Sequence, residues 1–393
     1  MSDIFDPISV ESKYTSGVYY KRDVAIVRGK GVRVWDNKGT EYIDCVAGQG
    51  VVNLGHCHPK VVAAINEQSQ KLLTCTEIFY NDTRAKLLDK LVSVLPQNLN
   101  KVYLCNSGAE SVEAAIKFAR LSTGKKEIIA AMRGFHGRTM GALSATWEKR
   151  YRQPFFPLIP GVKHVPYNKP QKIIDIISED TAAILVEVVQ GEGGVRPGDA
   201  EYLAHLRKLC DEKGCLLIFD EVQTGFGRTG KWFACQHYEL EPDILTMGKA
   251  IAGGVPMGAV AVSECVHNLK PGTHGSTFGG NPLACAASLA AIEAYADEKL
   301  IERSCELGKY VREKIGCIDN SVIREIRGLG LMIGIELKTK VTPYLRALMA
   351  NGVLALPAGP TVLRLLPPLV ITKDELDQVV SIIEKVLNEG KNG

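Results

Sequence analysis

The chain has 393 residues, 46% apolar and 23% charged, with a formal net charge of +3. That length implies two or three domains with large cores, and the near-balanced charge excludes a general nucleic-acid binder. No apolar run approaches the ~20 residues that cross a membrane, Met1–Asp6 lacks the basic and apolar regions of a secretory signal, and eleven scattered cysteines without a C-x-x-C pair fit reduced thiols in a cytoplasm.

Residues 1–20 are polar and read as an arm, and residues 24–44 alternate as a hairpin or meander. Gly55-His56-Cys57-His58-Pro59 has two histidines but no third ligand nearby, so it reads as a turn before a helix and no metal is expected. Residues 82–95 read as a helix, Lys101–Cys105 as a strand, and a further helix runs through Arg120. Between the last two, Asn106-Ser107-Gly108-Ala109-Glu110 sets backbone N–H groups and a hydroxyl at a helix start. That suits a phosphate or is a plain capping turn. Strand Glu127–Met132 leads to Phe135 and Arg138, an aromatic face for a flat cofactor and a fork for a carboxylate, or a structural arginine in a loop. Residues 148–174 hold six Lys or Arg and one acid, Glu148, a solvated face or a docking surface for an acidic partner.

Strand Ala183–Val189 ends at Glu192, which has glycines on both sides and reads as a carboxylate in a tight, mobile loop. A helix follows over Tyr202–Glu212. The apolar run Leu216–Phe219 then ends in Asp220, and Ile244–Met247 is followed almost at once by Lys249. Active sites of α/β proteins form at such strand ends. A lysine can bond covalently to pyridoxal phosphate, and an aspartate can hold its protonated ring nitrogen. Two unit charges about 4 Å apart are worth about 4 kcal/mol at an effective dielectric of about 20, which raises that nitrogen's pKa by a few units, with desolvation opposing part of the shift. The alternative is a surface lysine and a turn-capping aspartate.

Gly225-Phe-Gly227-Arg-Thr-Gly230 matches G-x-G-x-x-G but does not lead from a strand into a helix, so it is not a dinucleotide fingerprint. Residues 257–263 form a short strand. The loop His274–Pro282 carries Ser276 and Thr277, hydroxyls that bind phosphate or cap the long helix starting near Leu283. From about residue 300 the order is a helix (Ile301–Ile315), two strands (Ile323–Arg327, Leu331–Leu337), a helix (Tyr344–Asn351), strands around Val353–Leu356 and Val362–Leu366, and a last helix (Lys373–Asn388). Arg364 interrupts Val-Leu-Arg-Leu-Leu-Pro-Pro-Leu, and a charge in that setting needs a partner.

Together these segments resemble the class III (ω-type) pyridoxal-phosphate aminotransferases, from Gly-His-Cys-His-Pro through Asp-Glu-Val-Gln-Thr-Gly-Phe-Gly-Arg-Thr-Gly to Leu-Arg-Leu-Leu-Pro-Pro-Leu. The resemblance implies an α/β protein of PLP fold type I. Its large domain, residues 46–290, would hold a mostly parallel seven-stranded sheet between helices. Residues 291–393 would form a smaller α+β domain, and residues 1–45 an arm and hairpin packing with it. A homodimer is implied, with the cofactor near the interface. Carried over by position, Lys249 bonds the cofactor and moves the proton, and Asp220 pairs with the ring nitrogen. Gln223 lies by the ring hydroxyl and Phe135 on the ring face. Gly108, Ala109 and the neighbouring subunit's Thr277 hold the phosphate. Arg138 and Ser276 contact the substrate, Arg138 through its carboxylate. Arg364 is a second carboxylate receptor, for glutamate or 2-oxoglutarate, and Glu192 is its gate.

Within the family the chain looks like the acetylornithine aminotransferase group. Residues 130–141 and Thr146–Arg152 are most similar to its lysine-biosynthetic branch. Those enzymes act on lysine or ornithine whose α-amine is joined to a small acidic carrier protein, LysW. The expected activity is transfer of that terminal amine to 2-oxoglutarate, run in reverse with glutamate as donor in biosynthesis. The alternatives are N-acetylornithine transamination in arginine biosynthesis and a non-enzymatic binding module.

Overall fold

The computed structural model describes residues 5–389; the first four residues of the expected arm lie outside them. At its centre is a seven-stranded sheet in the order Leu99–Cys105, Gly258–Ser263, Ile244–Met247, Leu216–Asp220, Thr181–Glu187, Glu127–Ala131, Val162–Val165. Only Gly258–Ser263 runs antiparallel to its neighbours; the other pairs are parallel. Thr181–Glu187 and Leu216–Asp220 are buried along their whole length, as expected of central strands covered by helices on both faces. The register sets Asp220 beside Glu187 on one side and Thr246 on the other. Two strands therefore end in carboxyl groups side by side, next to Thr246, at one edge of an apolar sheet.

Helix Gly108–Thr123 leaves the edge strand through Ser107, whose hydroxyl accepts the Glu110 N–H at 3.2 Å, and stops at left-handed Gly124. Pro282–Asp297 is apolar around most of its circumference and packs on Pro59–Ser69 and Asp82–Val92. The C-terminal part is an antiparallel sheet in the order Ile323–Leu329, Met332–Leu337, Val362–Leu365, Leu356–Pro357, flanked by Leu300–Gly316, Thr342–Ala350 and Lys373–Glu389.

Three local expectations change. The arm contains a helix, Pro7–Tyr14, because Asp6 caps Ile8 and Ser9 and Pro7 suits a first helical turn. The single strand expected around Val353–Leu356 is two. Val353–Leu354 joins the N-terminal meander parallel to Glu41–Asp44, and Leu356–Pro357 joins the C-terminal sheet. The strand expected to run to Val189 ends at Glu187; Val189–Gln190 instead pairs with Arg196–Pro197, so Glu192 rides on the turn of a small ribbon.

The Gly-x-Gly-x-x-Gly segment is a junction. Arg228, wholly buried, donates to the carbonyls of Leu331 (3.0 Å) and Pro367 (2.6 Å) and to the Asn53 side chain (2.5 Å). His56 and His58 are held by Asp44 (2.7 Å) and Glu298 (3.0 Å).

Candidate active site

A cavity of about 260 Å³ opens at the carboxyl end of the sheet, lined by Gly108, Ala109, Phe135, His136, Gly137, Arg138, Glu187, Glu192, Asp220, Val222, Gln223 and Lys249. Eight of the expected site residues thus meet in one space. Arg364 stands just behind it, bonded to Gln223 at 3.3 Å and to Glu192 at 2.7 Å.

Lys249 follows the Ile244–Met247 strand by two residues and has φ +44°, a left-handed conformation that non-glycine residues avoid. Burial first, then the nearby Arg364 charge, pull its amine down from 10.5 to about 8, against Glu192, Asp220 and Glu187. The group can therefore hold or release a proton near neutrality.

Asp220 is fixed by three contacts. Its Oδ1 accepts from the Val222 N–H (3.0 Å) and the Thr246 hydroxyl (3.2 Å), and its Oδ2 lies 2.7 Å from His136 Nδ1. Burial lowers the His136 pKa, but the Asp220 hydrogen bond and the charges of Asp220 and Glu187 outweigh it and the net shift is upward. Glu187 goes the other way for a carboxyl, up to about 7, chiefly by burial, while accepting the N–H groups of Phe135 (2.9 Å) and Gly191 (3.0 Å). His136 is thus hydrogen-bonded to Asp220, and Asp220 and Glu187 both line the cavity. Sequence reading missed His136 and Glu187. For Glu187 a signal was available, since it is a carboxylate inside the apolar run Ala182–Val189.

Close approach shapes the opposite wall. A Cβ at Gly108 would lie 2.6 Å from Val222 Cγ1, and one at Gly137 (φ +136°) 2.9 Å from the Ala109 Cβ. Glycine at both lets the Phe135–Arg138 loop and the helix start share one rim. That start carries unpaired backbone N–H groups and the positive end of the helix dipole. A lysine amine, a buried carboxylate and a helix start suited to an anion, all lining one cavity, fit pyridoxal phosphate.

Arg138 is exposed at the mouth, its guanidinium 3.5 Å from the Tyr151 ring centroid, with Phe135 6.2 Å from Tyr151 edge-on. Arg364 is 2% exposed. The two arginines therefore differ: one is open, the other covered by a carboxylate.

Two expected residues lie apart from this chain's cavity. Ser276 accepts from Asn106 (2.9 Å) and from the Gly279 N–H (3.0 Å), and Thr277 is exposed. The basic run is not one charged face either: Lys163 pairs with Glu127 at 2.6 Å and Lys172 with Asp175 at 3.1 Å.

Residues 16–387 match the family described as Aminotransferase class-III. The chain is 51% identical over 385 residues to the [LysW]-aminoadipate semialdehyde transaminase of Deinococcus radiodurans, covering 97% of this chain and 90% of that protein. It is 49% identical over 379 residues to the acetylornithine aminotransferase of Methanosarcina mazei, covering 96% and 95%. Among solved structures, the ornithine aminotransferase of Toxoplasma gondii superposes with a TM-score of 0.94 at 36% identity, over 98% of this chain and 95% of that one.

Proposed function

The chain belongs to the class-III aminotransferase family, and we propose that it moves the terminal amine of a lysine or ornithine whose α-amine is blocked by a carrier protein of the LysW kind. 2-Oxoglutarate is the acceptor, or glutamate the donor in the biosynthetic direction. The enzyme is a pyridoxal-phosphate transaminase. The observation that carries the substrate reading is the contrast between Arg138, open at the cavity mouth, and Arg364, masked by Glu192. An α-blocked amine offers one carboxylate, for Arg138. Glutamate and 2-oxoglutarate offer two, and the second is worth displacing Glu192 from Arg364. Pairing the buried guanidinium in both states avoids leaving it uncompensated, which costs about 3–5 kcal/mol.

When bound, pyridoxal phosphate supplies a cationic ring that stabilises negative charge on the substrate carbon. Asp220, itself oriented by His136 and Thr246, would hold the ring nitrogen's proton. Gln223 would lie at the ring hydroxyl and Phe135 on the ring face. Gly108 and Ala109, with Thr277 of a neighbouring subunit, would take the phosphate. Lys249 would bond the cofactor and, once released, carry the proton to and from the substrate carbon. Ser276 stays a candidate substrate contact, also from across an interface.

A homodimer is part of the proposal. Arg84 donates to the carbonyls of Cys75, Phe79 and Gly280, tying two segments together. Their exposed side chains, Ile78, Phe79, Tyr80 and Phe278, make an apolar patch next to Thr277. A cytoplasmic setting is supported by all eleven cysteines being free thiols. No helix among the described residues is long and apolar enough to cross a membrane.

N-acetylornithine is the second reading, favoured by the similarity to acetylornithine aminotransferases. Turnover of carrier-linked lysine against N-acetylornithine, each with 2-oxoglutarate, separates them. Carrier-linked lysine is expected to be the better substrate; equal or faster turnover of N-acetylornithine overturns the carrier reading.

A further inference from the structure

Outside the cavity, and sharing Phe135 and Glu192 with its wall, lies an open vestibule of about 540 Å³. Its wall carries four arginines, Arg133, Arg150, Arg196 and Arg324, and three glutamates, Glu148, Glu192 and Glu336. All three carboxylates are already engaged. Glu192 holds Arg364. Glu336 is shared by Arg196 (2.9 Å), Arg324 (3.3 Å) and, from behind the wall, Arg327 (2.6 Å). Glu148 caps the turn at the Arg150 N–H, 3.2 Å away.

Positive charge is left over. Neither Arg133 nor Arg150 has a carboxylate in ion-pair contact among the described residues; the Arg150 guanidinium donates to the Tyr151 hydroxyl at 2.9 Å. Burial, and then the charge of Arg327, pull Arg196 below its ordinary value, with Arg133 adding to the same effect, and its Nε is buried without a partner. Crowded guanidiniums with spare donors recognise carboxylates, which they bind in bidentate fashion. Tyr151 links the two spaces, since Arg138 stacks on its ring 3.5 Å from the centroid and the residue also lines the vestibule. A substrate whose α-carboxylate sits on Arg138 would thus send the group on its α-nitrogen outward, into the arginines.

We infer that this vestibule is a subsite for a carboxylate carried on the acyl group that blocks the α-amine, the chemistry of an acidic peptide tail and not of an acetyl group. The inference rests on the reading that an α-blocked amine is the substrate. It replaces the 148–174 run as the acidic partner's landing site: of that run's six basic residues, only Arg150 lines the wall.

The test uses Nα-glutaryl-lysine and its uncharged carboxamide twin, which differ only in charge. With holoenzyme and 2-oxoglutarate at low salt, the glutaryl compound is expected to have the higher kcat/KM by about fivefold, with the advantage shrinking as salt screens the arginines. In the double variant Arg133→Gln/Arg150→Gln the ratio is expected to fall to within about twofold. Equal turnover of the twins by the unmodified enzyme overturns the subsite and leaves the amine reading standing. So does a charge preference that survives the double substitution. Refusal of both probes, while glutamate still bleaches the bound cofactor, overturns the amine reading and the subsite with it.

Discussion

At Lys249 the chain holds a positive-φ lysine, a backbone choice that costs on the order of 1–3 kcal/mol and persists where the surroundings over-determine it. Its lowered pKa has a direct consequence. Only the neutral amine attacks an aldehyde, and here neutrality arrives above about pH 8, not above the 10.5 of a solvated lysine. Cofactor-stripped protein mixed with pyridoxal phosphate should therefore bind it covalently at a rate that rises with pH to a midpoint near 8, read from absorbance. A midpoint near 10 would mean the amine is solvated and the burial argument is wrong. Asp220 and Lys249 were legible one residue at a time because each breaks an apolar pattern at a strand end. His136 was not, because a histidine in a Gly-flanked loop looks the same whether it meets solvent or a buried carboxylate.

The Glu192 ribbon is the smallest unit that behaves as a device. Val189–Gln190 and Arg196–Pro197 anchor it, and Gly191 leaves no room for a side chain, since a Cβ there would fall 2.0 Å from Gln223 Oε1. The glycines around Glu192 announced a tight loop, but its partner lies 172 positions away on the Val362–Leu365 strand. Removing the charge while keeping the shape tests the gate. Glu192→Gln is expected to leave Arg364 open, so kcat/KM for the α-blocked amine should fall roughly tenfold relative to that for glutamate. Single-turnover bleaching with each amine measures this, and an unchanged ratio would show that Glu192 does not select between substrates.

On the scale of the whole molecule, the site is shared between parts. Arg228 and Asn53 clamp the C-terminal segment to the large sheet, and Thr277, exposed beside the exposed Phe278, does not line its own chain's cavity. If Thr277 serves a second copy, Lys249→Ala and Thr277→Ala chains should complement one another. A mixed dimer of the two contains one site with both residues intact. Refolded mixtures are then expected to exceed the activity of Thr277→Ala alone; the same activity in mixed and unmixed samples would place Thr277 outside the partner's site. What the amino-acid order determined by itself was local or periodic. Apolar runs of strand length, glycine turns, cap residues and the strand-end Asp220 and Lys249 are each written within a few neighbouring positions, and the family pattern made their grouping expected. Only the tertiary structure decided which charges neutralise one another. Three arginines came to share Glu336, Lys163 and Lys172 were taken up by nearby acids, and Arg133 and Arg150 were left over. Ion pairing depends on distances across a folded chain, and charge composition along it carries no record of them.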